Sequence, residues 1–83
     1  DVARARAAVA TAESQIAVER SAVAELRDEV TRKRDLVAAG AVSEGAFRRM
    51  EIRLQGLEAK VATAEKLVSE ARAALAQAES AHA

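Results

Sequence analysis

At 83 residues the chain has room for one small unit, since typical domains run to about 100–150 residues. Hydrophobic residues make up 51% but aromatics only 1%, with Phe47 the single ring, so the apolar side chains are mainly Ala, Val and Leu, which fill a narrow seam well and a thick core poorly. Thirteen Lys and Arg balance thirteen Asp and Glu, which disfavours a generally basic nucleic-acid binder. No stretch alternates with period two between turn signals, as a sheet would require. There are no prolines and three glycines, and long helix is the regular structure this composition invites. Without Cys there is neither a disulfide nor a thiolate ligand, and no apolar run approaches the ~18 residues of a membrane span. The chain starts at Asp1 and reads as a segment of a larger protein, with any targeting signal outside it.

In chain order, the first element is a heptad block. Val2, Val9, Ile16, Val23, Val30 and Val37 occupy its a positions, all β-branched and apolar; Ala5, Ala12, Glu19, Leu26 and Lys33 occupy d. This pattern predicts a helix over 2–39 with one coiled-coil seam. The polar residues Glu19 and Lys33 at d are expected to lay their stems along the seam and carry their charges out to water. Ala3, Ala10, Ala17 and Ala24 line the b positions, where they serve helix propensity or a lateral contact.

A turn over 40–43 follows. Gly40 suits the left-handed conformation just past a helix end, and Ser43 is placed to cap the next helix. Val42 and Phe47 stand at the two positions of a hydrophobic staple. Ala46 replaces the acid of a capping box, and Gly45 is a weak helix former in the first turn.

The second helix, predicted over 44–81, has Phe47, Leu54, Val61, Val68, Leu75 and His82 at a, and Met50, Leu57, Ala64, Ala71 and Ala78 at d. So short a turn returns it antiparallel to the first. The e positions test that arrangement. Arg6, Glu13, Arg20, Arg27 and Arg34, read against Glu79, Arg72, Glu65, Glu58 and Glu51, are opposite in sign throughout. The order reverses once, at Glu13 and Arg72, and a slip of one heptad would set Glu13 against Glu65 and Arg6 against Arg72. Such pairs select register and partner more than they stabilise. The expected fold is therefore all-α, a two-helix antiparallel coiled-coil hairpin over 1–83, with Leu26 opposite Val61. One narrow seam also predicts marginal stability and helicity that depends on concentration.

Nothing in the chain has the makings of an enzyme. His82, the sole histidine, stands one residue from the end, a poor place for a base or metal ligand, and adjacent acids such as Asp28 and Glu29 point in different directions on a helix. The glycines fit no phosphate-binding fingerprint, and neither a cofactor nor a metal is expected. The tip is more informative. Between Arg32 and Arg53 the basic residues Arg32, Lys33, Arg34, Arg48, Arg49 and Arg53 outnumber the acids Asp35, Glu44 and Glu51, so the tip is positive and the shaft negative. Arg32 is at c, outside the seam; Leu36 follows four residues on, at g; Ser43 opens the second helix. A cation, an apolar side chain and a hydroxyl thus converge at the end of a rod, as end-on docking would need.

The spacing Arg32-x-x-x-Leu36-x-x-x-x-x-x-Ser43 across the turn of an Ala-rich antiparallel coiled coil resembles the Arg-Leu-Ser tip motif of periplasmic adaptor proteins, also called membrane fusion proteins, of the HlyD and AcrA/MacA type. The run Leu36-Val37-Ala38-Ala39-Gly40-Ala41-Val42-Ser43 is similar to their usual turn. The resemblance spans essentially the whole chain and only the hairpin domain of such a protein, without its lipoyl, β-barrel and membrane-proximal parts. The family pattern often has a glutamate at the third helical position after the serine, where this chain has Ala46.

What the resemblance implies is a bridging role in the periplasm, in a protein anchored to the inner membrane. Such adaptors connect an ABC or proton-driven inner-membrane transporter, through those other domains, to a TolC-type outer-membrane channel in efflux or type I secretion. Their hairpins stand side by side, commonly as hexamers, and their tips meet the channel. Arg32 would then donate hydrogen bonds to channel carbonyls or acids, Leu36 would pack in an intersubunit groove and Ser43 would add a polar contact beside its capping role. Two other readings compete. The basic tip permits an RNA-binding arm like that of seryl-tRNA synthetases, but the zero net charge and the lack of a free stacking aromatic disfavour nucleic acid. A structural coiled-coil spacer gives no reason for Arg, Leu and Ser at this spacing.

Overall fold

The computed structural model describes residues 1–82. Within them the chain forms two helices, α1 (Val2–Ala38) and α2 (Glu44–His82), packed antiparallel along their length. They make a rod of 64 × 14 × 12 Å, the length expected of helices of 37 and 39 residues at 1.5 Å per residue. Neither helix is long and apolar enough to cross a membrane. His82 closes α2, and its side chain lies outside the described part of the molecule.

Three of the four helix ends are held by local causes. Asp1 caps α1, its carboxylate accepting a 2.7 Å hydrogen bond from the Arg4 amide. At the other end Ala39 is the C-cap, one residue earlier than the heptads suggest. Gly40 then adopts φ +79°; its amide donates to the Val37 carbonyl (3.0 Å) and that of Ala41 to the Leu36 carbonyl (2.8 Å). These are the two bonds of a Schellman motif, which satisfy carbonyls the helix leaves unpaired. Ser43 caps α2, its Oγ accepting from the Ala46 amide at 3.1 Å. Val42 and Phe47 are both half-buried beside it.

The seam is built from the predicted a and d residues. Val30, Leu26, Ile16 and Val23 of α1 and Ala64 and Val68 of α2 are buried, with Ile16, Ala64 and Val68 forming one cluster against which Ala12 packs. The other a and d residues of α2 up to Ala78 are half-buried, because a two-helix rod covers only one side of each helix. No polar side chain is buried among the described residues. Glu19 and Lys33 are half-buried as their d positions suggest, and the Glu19 carboxylate accepts a 2.7 Å hydrogen bond from the Gln15 side chain.

Four ion pairs fix the register: Arg6 with Glu79 (3.5 Å), Glu13 with Arg72 (2.7 Å), Arg20 with Glu65 (4.0 Å) and Arg27 with Glu58 (2.8 Å). They are the pairs read from the e positions, including the one of reversed polarity. The fifth does not form: the Arg34 guanidinium instead lies 6.0 Å from the centroid of the Phe47 ring. A cation–π contact at an exposed site is worth about 0.5–1 kcal/mol, comparable with an exposed ion pair at about 0.2–1 kcal/mol, so neighbouring geometry decides between them.

The glycines divide into one that the backbone needs and two that it does not. A Cβ on Gly56 would meet nothing within 4 Å, and one on Gly45 would meet only the end of the Arg49 side chain at 3.7 Å. Both are within α2, where glycine is about 0.5–1 kcal/mol less favourable than alanine. Gly56→Ala should therefore raise stability by about 0.5–1 kcal/mol, whereas Gly40→Ala should lower it by about 1–2 kcal/mol through the left-handed φ. Urea titrations of the two variants, followed by helicity, should shift in opposite directions. A stabilising Gly40→Ala would disprove the role given to the turn.

Candidate functional site

The end of the rod carries the residues singled out by the sequence, and all three are exposed. Arg32 and Leu36 lie one helical turn apart on the same flank of α1, the flank bearing the c and g positions. Leu36 keeps 41% of its surface in water, high for a leucine beside a seam, and its carbonyl is held in the Schellman motif. Ser43 stands across the turn. Its Oγ serves the α2 cap, and as a hydroxyl it retains a donor and a further acceptor site.

Arg32 has a partner that heptad reasoning did not supply. One guanidinium nitrogen donates to Asp28 Oδ2 at 2.7 Å, an i,i+4 pair whose side chains are 68% and 65% exposed. A pair that open to water is worth about 0.3–0.5 kcal/mol. It orients the guanidinium along the outside of α1 and leaves most of its five donors unused. Asp28 was legible in the sequence, four residues before Arg32, but the motif spacing looks only toward the turn.

The rest of the tip is polar and shallow. Val37, Glu44, Gly45, Phe47, Arg48 and Glu51 line an open depression on the opposite flank from Leu36. Arg34 and Phe47 brace that side, while Arg48, Arg49 and Arg53 are exposed and give the end of the rod its positive field. Nothing at the tip encloses a small molecule, and the arrangement offers a convex surface of cations around one exposed leucine. Such a surface suits contact with another macromolecule.

The two flanks of the shaft differ. On the e side, Ala17 and Ala24 lie in shallow grooves beneath the ladder of ion pairs. Among the described residues the g side has no such ladder; toward the open end its groove is lined by Ala8, Thr11, Ala12, Gln15, Ala64, Leu67 and Ala71, and toward the tip by Gln15, Glu19, Lys60, Thr63 and Leu67, so it carries charge there. Comparison with known proteins gives no further guide: no protein-family model, curated protein or solved structure matches the chain.

Proposed function

We propose that the chain is the α-helical hairpin of a periplasmic adaptor, of the membrane fusion protein type, and that it docks by its tip onto a TolC-type outer-membrane channel. The protein carrying it would be anchored to the inner membrane and would serve a tripartite efflux pump or a type I secretion system, reaching its transporter through other domains. Its work is binding rather than catalysis. The observation that supports this reading is the exposure, at the end of a rigid rod, of the three residues whose spacing resembles the adaptor tip motif. Arg32 supplies charge-assisted donors, Leu36 an apolar anchor and Ser43 a hydroxyl.

Channel association tests the proposal. The 83-residue chain carrying a photo-crosslinker at Leu36 is mixed with a purified TolC-type channel and, separately, with structured RNA. Crosslinking to the periplasmic end of the channel, competed by unlabelled chain, is the expected result. Salt-sensitive crosslinking to RNA with none to the channel would replace the adaptor reading with that of an RNA-binding arm.

A further inference from the structure

The outward face of α2 on the tip half of the rod is basic and apolar at once, and we infer that it is a docking surface for an acidic α-helix of another protein. Between Gly45 and Ser69 the charges of α2 are sorted by heptad position. The acids Glu51, Glu58 and Glu65 are all at e, and Glu58 and Glu65 reach across the seam to Arg27 and Arg20. Arg49, Arg53, Lys60 and Lys66 fall at c, g, g and f. All four are exposed, and among the described residues none of them forms an ion pair. Arg48, at b, stands apart in the tip depression with Glu44 and Glu51.

The same c, f and g positions hold two large apolar side chains in water, Ile52 at 59% and Leu67 at 52% exposure. They are about 22 Å apart along the helix. Between them stand Gly56, Ala59 and Thr63. A Cβ on Gly56 would meet nothing within 4 Å, so the hairpin itself has no use for a glycine that weakens its helix. Inside a helix the glycine amide is already bonded, and what the missing side chain offers is distance. Two apolar anchors with a saddle of small residues between them form a relief that a second helix can fill.

Charge chooses the occupant. Four unpaired cations around two apolar anchors call for Asp and Glu flanking an apolar stripe. A second copy of this chain does not supply that, because where α1 is richest in acids, from Glu19 to Asp35, five acids are matched by five bases. Nucleic acid would answer the cations but leave Ile52 and Leu67 idle, with no aromatic to stack on. A membrane surface would need apolar side chains in the saddle as well. The nearest acid outside α2 is Glu19, on the α1 wall of the groove that Lys60 also lines, and its carboxylate is engaged by Gln15. Arg32, Leu36 and Ser43 belong to α1 and the turn, so this face works whether or not the tip docks on a channel.

Fluorescence anisotropy with the 83-residue chain tests this face. The probe is an Ala-based helical peptide of about five turns, with leucines along one stripe and glutamates on both sides of it. The control peptide has the same composition, with the glutamates opposite the leucines. At about 0.15 M salt, where charges more than about 8 Å apart are largely screened, the probe is expected to bind at least about tenfold more tightly than the control. Ile52→Gln and Leu67→Gln leave the charge unchanged and should each weaken the probe about tenfold. Arg53→Glu and Lys60→Glu should weaken it too, whereas Arg4→Glu, the same change of charge at the open end of α1, should not. Gly56→Gln should stabilise the helix and yet weaken the probe, two effects that a glycine with a purely structural role would not combine. Arg32→Ala should leave the probe unaffected, which separates this face from the tip. Equal affinity for the two peptides, or a probe indifferent to Ile52→Gln and Leu67→Gln, would overturn the inference. So would double-stranded RNA or phosphatidylglycerol vesicles that bind more tightly than the probe and are released by the same two variants. Dimerisation of the chain alone that Ile52→Gln abolishes would give the face to a second copy instead.

Discussion

Leu26→Ala is expected to remove most of the stability of the isolated hairpin. Leu26 is 4% exposed and sits in the seam with Val23 and Val30, themselves buried. Truncating a buried leucine costs about 2–5 kcal/mol, from lost apolar burial and the cavity left behind. Small single-seam units hold little in reserve. The loss should appear as a large fall in the urea midpoint at fixed chain concentration. Val9→Ala provides the comparison, because Val9 is only half-buried and its truncation uncovers less area. Equal shifts for the two variants would mean that the burial gradient along the seam does not govern stability.

Arg32→Ala should leave that midpoint almost untouched and abolish most tip docking. Among the described residues of the free chain the guanidinium bonds to Asp28 alone, through an exposed pair, so the fold loses about 0.3–0.5 kcal/mol. In a desolvated contact the same group should be worth about 2–5 kcal/mol of binding, roughly 30-fold to several-thousand-fold in affinity. Asp28→Ala supplies a sign test, since it frees Arg32 from its internal partner and should keep or modestly strengthen docking. Leu36→Ala should weaken docking through lost apolar contact. Ser43→Ala mixes the contact with loss of the α2 cap, at about 1 kcal/mol of stability. Channel association and export in the protein that bears the hairpin provide the readout. If Arg32→Ala and Leu36→Ala both associate and export at the wild-type level, the tip is not a docking site.

The architecture was legible because two independent codes agree. Heptad spacing places Ile16, Val23, Leu26 and Val30 on one stripe, and the e-position charges, with their single reversal at Glu13 and Arg72, choose among the heptad registers. The turn was legible from Gly40 and Ser43, whose backbone demands are specific. Less could be read where alternatives are nearly equal in energy. Arg34 stands opposite Glu51 in the heptad scheme, yet its guanidinium lies over Phe47. Arg32 was assigned outward from its c position, but its bond to Asp28 depends on rotamers that heptad letters do not encode. The alanines at b drew attention to the flank covered by charge, while the more apolar groove lies on the g side, around Leu67.

Because the ion pairs form a ladder of fixed register from Arg6–Glu79 to Arg27–Glu58, the hairpin has two distinct mechanical responses. A force that draws the open ends of α1 and α2 apart loads one rung at a time, so the helices should peel toward the turn at low force. A push along the rod axis, delivered at the turn, is instead shared by both helices at once and loads every seam layer together. The Schellman turn and the Ser43 cap join those two columns at the point where the push arrives. The molecule is therefore a strut that resists compression at its tip and a zipper that opens from the other end.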